Sequence, residues 1–234
     1  MRQDSFACSG RTIRAYRQEN PRLVLLQFAD AQDLQGMDEE AQALSRQADA
    51  PFLLAALAVR DWFGELSPWP AAAVFGRQDF SGNARDTLDC LLNKLMPALK
   101  NRYALGGDIP WVLGGYSLAG LFALWCGHET DAFAGIAAAS PSVWFPGWME
   151  YAEKHPLRAS CVYLSLGDRE ERARSPVMAR VGGNIRQLIQ IYQANGACRA
   201  TLEWNSGGHF QDAPARTARA FAWTMRELCL AGRR

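Results

Sequence analysis

The segment at residues 112–120, VLGGYSLAG, constrains the fold more than any other part of the chain. A short apolar run of strand character leads into Gly115, and a segment of helical character begins after Ser117. A serine at such a junction lies in a tight strand-to-helix turn, with its hydroxyl exposed above the sheet. Gly115 and Ala119 are small enough for that turn to close, although glycine is more usual at the second position. Ser117 is therefore our candidate nucleophile, and the Leu118 N–H at the helix start is a candidate oxyanion donor.

Segments of strand length alternate with segments of helical period along most of the chain. Continuous apolar runs, typical of strands covered on both faces, occur at residues 22–28, 51–59, 111–115, 133–140, 160–167 and 200–204. Helical patterns occur at residues 84–99, 118–126, 177–195 and 213–230. This order indicates an α/β fold with a mostly parallel central sheet flanked by helices. The 234-residue chain shows no linker, and its loops are too short for a large cap domain, so we expect a single domain over residues 1–234.

A serine hydroxyl needs a neighbouring base to act as a nucleophile, and the chain has three histidines. His128 follows a predicted helix end and is expected at the surface or at the helix terminus. His155 stands among charged residues and is expected to be solvated. His209 follows the last predicted strand and the turn NSGG, just before the final predicted helix. This position makes His209 our candidate base.

The third member of a catalytic triad is a carboxylate that holds the base in the required tautomer. The predicted strand at residues 160–167 runs into GDREE, which offers Asp168, Glu170 and Glu171 as candidates. The pattern by itself does not choose among them. The resulting chain order of serine, acid and histidine is the order of the α/β-hydrolase fold rather than of other serine hydrolases.

Two segments fit neither the strand nor the helix pattern, and both follow predicted strands. Residues 61–81 are rich in proline, glycine and aromatic residues, and residues 141–156 contain a second group of aromatic residues. Ligands of open α/β sheets bind beyond the carboxyl ends of the strands, so we expect these loops to form pocket walls. The residues expected to contact substrate are aromatic: Tyr116, Trp62, Trp69, Trp144 and Trp148. Burial of the tryptophans as packing residues is the alternative interpretation.

Composition argues against several other classes of function. The net charge of +1 is evenly spread, so nothing indicates nucleic acid or a membrane as a partner. The six cysteines include no CxxC pair, so metal-ligand spacing is absent. Neither a metal nor an organic cofactor is expected. The unpatterned cysteines and the absence of a signal-peptide core or a long apolar run predict a soluble, cytoplasmic protein. The terminal pair Arg233-Arg234 is expected to be a frayed end, and the sequence does not indicate an oligomeric state.

From about residue 22 to residue 209, the chain resembles a known group of α/β-hydrolase esterases. Its members include enterochelin and salmochelin esterases, S-formylglutathione hydrolases, feruloyl esterases and mycolyltransferases. The resemblance is carried by GGYSLAGLFALW, AAASPSVWF, LGDREE and GGHF, and also by DWFGELSPWP with the following FSGNARDTLDCLLNKLMPAL.

This resemblance implies roles for particular residues. In such proteins the acid often stands three residues after the glycine that ends its strand, which corresponds to Glu170, with Asp168 and Glu171 as alternatives. The second oxyanion donor would be a backbone N–H near Ala29 or Asp30, where this chain lacks the glycine-rich turn that the family often has.

The resemblance further implies hydrolysis of a small-molecule carboxylic ester or thioester through an acyl-enzyme intermediate, with Ser117 as nucleophile and His209 as base. Two alternatives stay open at this point. One is a different acyl-transfer activity at the same site, such as that of a peptidase, a lactonase or an acyltransferase. The other is a non-catalytic binding protein that retains the fold.

Overall fold

The computed structural model describes residues 1–194, 196 and 198–231. The predicted helix end at Asn195 and the predicted frayed pair Arg233-Arg234 lie outside the described residues. The strands within the described part are β1 (Arg2–Cys8), β2 (Arg11–Arg17), β3 (Leu23–Ala29), β4 (Phe52–Ala58), β5 (Pro70–Ala71), β6 (Phe80–Ser81), β7 (Trp111–Tyr116), β8 (Gly135–Ala139), β9 (Cys161–Gly167) and β10 (Arg199–Asn205).

One eight-stranded sheet dominates the structure, in the order β1-β2-β4-β3-β7-β8-β9-β10. Every neighbouring pair from β4 to β10 is parallel. The pairs β1–β2 and β2–β4 are antiparallel, and β5 pairs with β6 as a separate short ribbon. The prediction of a mostly parallel central sheet is therefore confirmed, and each predicted strand corresponds to an observed one.

The antiparallel hairpin of β1 and β2 has no counterpart among the sequence predictions. Its two-residue turn places Ser9 at φ 51° and Gly10 at φ 72°, the left-handed pair that a type I′ hairpin turn requires. In β2, Ile13 and Ala15 are buried while Thr12 is exposed. This alternation is interrupted by polar residues, so the hairpin does not show the continuous apolar run that indicates a central strand.

Helices cover both faces of the sheet. They are α1 (Ala31–Gln47), α2 (Trp62–Glu65), α3 (Ala84–Cys90), α4 (Met96–Tyr103), α5 (Ser117–Glu129), α6 (Trp148–Lys154), α7 (Pro176–Ala179), α8 (Val181–Ala194) and α9 (Ala213–Ala231). A π-helical segment, Leu91–Leu95, joins α3 to α4, and Glu170–Arg172 form a 3₁₀ turn. No helix in the described residues is both long and apolar enough to cross a lipid bilayer.

The buried side chains form two clusters, one on each face of the sheet. Helices α1 and α9 pack on one face, where their buried residues include Met37, Leu44, Phe221 and Met225. Helices α3, α4, α5, α6 and α8 pack on the other face. Successive residues of β3 alternate between the two clusters, as the two-residue period of a strand requires. Both faces are therefore covered, which explains the continuous apolar runs of the central strands.

Helix α5 is apolar around its whole circumference, and every residue from Leu118 to His128 is buried. A helix of this kind is stable only when it is surrounded by protein. Its N-terminus is consequently fixed at the carboxyl end of β7, in the middle of the sheet. The turns that follow β9 and β10 lie at the same edge, which is the ligand-binding edge of an open parallel sheet.

Candidate active site

Ser117 lies in the turn between β7 and α5 with a left-handed backbone. Its φ is 57°, a region that costs a residue with a side chain about 1–2 kcal/mol. A Cβ built on Gly115 would lie only 2.7 Å from the Cβ of Ala119. Glycine is therefore required at position 115, because it leaves the space that the Ala119 side chain occupies. The packed strand and helix on either side hold this strained turn in place.

His209 lies beside Ser117, in the turn that follows β10. The distance between its Nε2 and the Ser117 Oγ is 3.0 Å, which is within reach for proton transfer. The Tyr116 hydroxyl donates a hydrogen bond of 2.6 Å to the His209 carbonyl. Tyr116, which the sequence suggested as a substrate contact, thus holds the backbone of the histidine and also borders the cavity in front of Ser117.

Glu170 is the carboxylate that contacts the histidine. Its Oε2 lies 2.7 Å from the Nδ1 of His209, and it stands three residues after Gly167, which ends β9. Ser117, His209 and Glu170 therefore form a continuous chain of hydrogen bonds, contributed by the ends of three strands. This arrangement matches the triad geometry in which the acid orients the base and the base contacts the nucleophile.

The other two acidic candidates lie elsewhere. Asp168 accepts a hydrogen bond of 2.8 Å from the Gly207 N–H, and so supports the turn that carries the histidine. Glu171 forms an exposed ion pair with Arg186, at 2.9 Å. Neither carboxylate contacts His209.

The second oxygen of Glu170 lies in a buried hydrogen-bond network. Oε1 accepts from the Gly167 N–H at 2.7 Å and from the Ser140 hydroxyl at 2.8 Å. Burial by itself would raise the pKa of Glu170, but the hydrogen bond and charge of His209, with the bonds from Gly167 and Ser140, outweigh burial and lower this pKa. Glu170 is therefore ionised at neutral pH, which is the state that stabilises an imidazolium.

Arg216, on α9, is a fully buried cation behind the triad. Its Nη1 lies 3.4 Å from the Glu170 Oε1 and 3.2 Å from the Tyr116 hydroxyl, and its Nη2 donates to the Ser206 carbonyl at 2.9 Å. Arg216 thus contacts both the acid and the elements that hold His209. The sequence analysis did not identify it. The available signal was an arginine on the otherwise apolar face of the last predicted helix.

Replacing Arg216 with methionine is expected to destabilise the fold by about 3–5 kcal/mol, because it leaves the buried Glu170 carboxylate without its cation. Urea unfolding measures this change in free energy. The matched control is Arg219→Met, on the same helix, whose ion pair with Glu203 is partly exposed and contributes less than about 1 kcal/mol. Equal destabilisation by the two substitutions would contradict the prediction.

The predicted oxyanion donors border two neighbouring cavities. Leu118 and Asp30 border the cavity that contains Ser117, and Ala29 borders a neighbouring cavity. The Leu118 N–H belongs to the first turn of α5, whose N–H groups have no acceptor within the helix. The Asp30 carboxylate caps α1 by accepting from the Gln32 and Asp33 N–H groups.

The cavity in front of Ser117 has a volume of about 470 Å³. One side is formed by aromatic residues and a methionine from the two loops that the sequence suggested as pocket walls and from α7. These residues are Trp62, Phe63, Phe75, Phe80, Trp144 and Met178. The volume falls within the range of about 300–1,000 Å³ that is usual for small-molecule sites.

Two of the predicted substrate contacts do not border this cavity. Trp148 is completely buried at the start of α6, where it packs against His128. Trp69 packs against Phe145 and Tyr151, and its Nε1 donates to a loop carbonyl. The structure thus supports the packing interpretation for these two tryptophans, because the loops that carry them fold back on the core.

His128 lies in the last turn of α5, which is one of the two expected positions, but it is not at the surface. His128 is 3 % exposed, because α5 continues to Glu129 and is covered on all sides. Its ring nitrogens contact the His155 carbonyl and the Tyr192 hydroxyl. Burial lowers the pKa of His128 to about 4, so this histidine is neutral and has a structural role.

The described residues contain no group of three or more histidine, cysteine, aspartate or glutamate side chains that could hold a metal ion. All six cysteines are unpaired. Burial raises the pKa of Cys161 to about 12 and of Cys198 to about 11, so these thiols are not ionised at neutral pH.

Comparison with known proteins places this geometry in a known fold. No protein-family model matches the sequence, and no curated protein matches it. Among solved structures, an IroE-like serine hydrolase from Shewanella oneidensis matches with a TM-score of 0.79 at 14% identity, over 97% of this chain and 80% of that chain. The fold is that of the α/β-hydrolases.

Two further structures give the same result. Siderophore hydrolase EstB from Aspergillus nidulans matches with a TM-score of 0.77 at 16% identity, over 97% of this chain and 94% of that chain. The enterobactin and salmochelin hydrolase IroE matches with a TM-score of 0.59 at 14% identity, over 97% of this chain and 93% of that chain. All three are hydrolases by name, in agreement with the esterase group that the sequence resembles.

Proposed function

We propose that this protein hydrolyses carboxylic esters or thioesters of small molecules through an acyl-enzyme intermediate. The observation that carries the proposal is the hydrogen-bond chain from Ser117 Oγ to His209 Nε2, at 3.0 Å, and from His209 Nδ1 to Glu170 Oε2, at 2.7 Å. A serine in this arrangement, held in a strained turn above a parallel sheet, is typical of an activated nucleophile. The hydrolase names of the structural neighbours add support.

In the first half of the reaction, the Ser117 Oγ forms a bond to the acyl carbon while His209 Nε2 takes the hydroxyl proton. Glu170 stabilises the resulting imidazolium. The oxyanion is stabilised by the Leu118 N–H and by a second backbone N–H at Ala29 or Asp30, and loss of one such donor typically raises the barrier by about 3–4 kcal/mol. The bond to the leaving alcohol or thiol then breaks, and His209 donates its proton to it.

In the second half, a water molecule replaces the leaving group. His209 takes a proton from the water as its oxygen attacks the acyl carbon, and then returns a proton to Ser117 Oγ as the acyl–enzyme bond breaks. The products are a carboxylic acid and the free enzyme. Each proton moves through the same imidazole nitrogen, so the 3.0 Å contact between Ser117 and His209 serves both halves.

The aromatic side of the cavity supports an apolar or aromatic group as part of the substrate. Trp62 and Trp144 border the space beside Ser117, and aromatic side chains bind such groups through large contact areas. The name of one structural neighbour, EstB, describes a siderophore hydrolase, which supports small-molecule esters as the substrate class.

We further propose that the chain forms one domain and acts in the cytoplasm. The single main sheet supports one domain over residues 1–234. The six unpaired cysteines support a reducing compartment such as the cytoplasm.

A panel of p-nitrophenyl esters, from acetyl to dodecanoyl, tests the proposed function together with a fluorophosphonate probe. We expect turnover of the shorter esters, because a cavity of about 470 Å³ limits acyl length, and covalent labelling of Ser117, located by peptide mass spectrometry. Absence of both turnover and labelling would contradict the proposal and favour a non-catalytic binding protein.

A further inference from the structure

A second cavity lies directly beside the one in front of Ser117. It has a volume of about 360 Å³. The two cavities share a wall, because the same residues border both: Gln32, Asp33, Tyr116, Phe210 and Ala213. A substrate whose scissile ester lies at Ser117 can therefore extend in two directions, toward the aromatic side or into this second cavity.

The second cavity differs from the aromatic side in its charge. Its charged lining residues are all acidic, and they are Asp33, Glu39, Glu40 and Asp212. The first cavity adds Asp30, and neither cavity is bordered by a lysine or an arginine in the described residues. A cleft lined by charge of one sign concentrates ligands of the opposite sign.

Glu40 is a buried carboxyl group of this cluster that lacks a cationic partner among the described residues. It is only 6 % exposed, and its Oε1 accepts a hydrogen bond of 2.7 Å from Gln27, which is itself buried and borders the cavity. The described residues give Oε2 no hydrogen bond, and no arginine or lysine pairs with this carboxyl. A buried carboxylate without a cation is unfavourable, and a cation in the cavity would remove that cost.

The titration of these groups is consistent with an unbalanced cluster of acids. Burial raises the pKa of Glu40 to about 8, an effect that the Gln27 hydrogen bond opposes and the charge of Asp33 increases. Desolvation and the nearby Asp30 carboxylate raise the pKa of Asp33 to about 6. At pH 8.5 Asp33 is therefore ionised and the ionised form of Glu40 is substantially populated, and a bound cation would stabilise the ionised form of each.

Phe210 adds an aromatic surface to the same place. It is 96 % exposed and borders both cavities, next to His209. An exposed aromatic ring beside carboxylates is the combination that binds alkylammonium groups, through the ring face as well as through charge. Because the described residues contain no group able to hold a metal ion, an organic ammonium ion fits this chemistry better than a metal cation.

We propose that the second cavity binds an ammonium group on the substrate, so that the enzyme prefers cationic esters to neutral or anionic ones of the same shape. This inference rests on the proposed ester hydrolysis at Ser117. It assigns the two directions along the cleft: the aromatic side takes the apolar part of the ester, and the acidic side takes the cationic part.

The test compares two 3-phenylpropanoyl esters that have the same shape, those of choline and of 3,3-dimethylbutan-1-ol. At pH 8.5 and low ionic strength, we expect kcat/KM for the choline ester to exceed that for the neutral ester by about tenfold or more. The ratio should fall as sodium chloride is added, because salt screens the exposed part of the acidic wall. The 3-phenylpropanoyl ester formed on the hydroxyl of glycolic acid carries a carboxylate, and it should react more slowly than the choline ester and the neutral ester.

Glu40→Gln and Asp33→Asn are each expected to reduce the choline preference about threefold or more, since each removes one negative charge without changing side-chain shape. Asp49→Asn is the control, because Asp49 lies on the surface in an ion pair with Arg226. Its ratio of kcat/KM for the choline ester to kcat/KM for the neutral ester should equal that of the wild type. A wild-type ratio of one or below, or a ratio that the Glu40 and Asp33 substitutions leave unchanged, would overturn the inference.

A binding measurement separates failure of this inference from failure of the proposed function. Calorimetric titration with choline and with 3,3-dimethylbutan-1-ol needs no turnover. Tighter binding of choline, reduced by Glu40→Gln, supports the ammonium site even if neither ester is hydrolysed. Turnover of the neutral ester with equal binding of the two alcohols would leave the esterase proposal standing and overturn the ammonium site.

Discussion

Replacing Ser117 with alanine is expected to lower kcat for a p-nitrophenyl ester by about 10⁶-fold, because the nucleophile and base of a triad act as a unit. The protein should remain folded. Alanine keeps the left-handed backbone at φ 57°, so the strain in the turn is unchanged and Tm should stay within a few degrees of the wild type. Steady-state kinetics gives kcat and thermal unfolding gives Tm, both measured on the same preparation.

Ser117→Gly sharpens this prediction. Glycine adopts the left-handed conformation freely and relieves about 1–2 kcal/mol of strain, although its greater freedom in the unfolded chain offsets about 0.5–1 kcal/mol of that gain. The glycine variant should therefore be as inactive as the alanine variant but equally or slightly more stable. Wild-type turnover in either variant would show that another residue is the nucleophile.

Replacing Glu170 with glutamine is expected to lower kcat by about 10⁴-fold. The glutamine amide can donate a hydrogen bond to His209 Nδ1, which places the ring proton on Nε2. A protonated Nε2 cannot accept the proton of the Ser117 hydroxyl. The 2.7 Å contact between Glu170 Oε2 and His209 Nδ1 makes this change of tautomer direct. Stopped-flow or steady-state kinetics measure the loss, and fluorophosphonate labelling should slow in parallel.

The neighbouring acids provide matched controls for this substitution. Asp168→Asn keeps an oxygen that can accept from the Gly207 N–H, and Glu171→Gln removes only an exposed ion pair. Each should retain activity within about tenfold of the wild type, since exposed ion pairs contribute about 0–1 kcal/mol. If Asp168→Asn proved as damaging as Glu170→Gln, the assignment of the acid would have to change.

Substitutions at Ser117 and Glu170 are expected to change a different property of the protein from Arg216→Met. Ser117 and Glu170 are expected to act mainly on the rate, whereas Arg216 is expected to act mainly on stability, because its charge balances a buried carboxylate. Measuring kcat and the free energy of unfolding for all three variants therefore separates reacting groups from the group that supports them.

The amino-acid sequence was sufficient to indicate the fold class and to single out Ser117 as the candidate nucleophile. The apolar runs are continuous because the central strands are covered on both faces, and the Gly115–Ser117–Ala119 spacing reflects a turn that only small residues allow. These features depend on neighbours in the chain, so they are visible without a structure. The edge hairpin and α1 lack a continuous apolar run, and the sequence did not indicate them.

Tertiary structure decided which charged and aromatic residues lie at the candidate active site. Glu170, rather than Asp168 or Glu171, faces His209 because the 3₁₀ turn after β9 directs one carboxylate inward and leaves another at the surface. Arg216 reaches the same carboxylate from the last helix. Trp144 borders the cavity while Trp148, four residues later, is buried, since the chain turns into α6 between them.

The physical reason for this division is the range of the interactions. Strand and helix patterns arise from contacts between residues that are close in sequence, so they can be read from the chain directly. The contacts among Ser117, His209 and Glu170 join the ends of three strands, and Arg216 reaches them from α9. The acidic second cavity is bordered by residues of α1 and α9. These side chains come from separate elements of the chain, and only the tertiary structure brings them together.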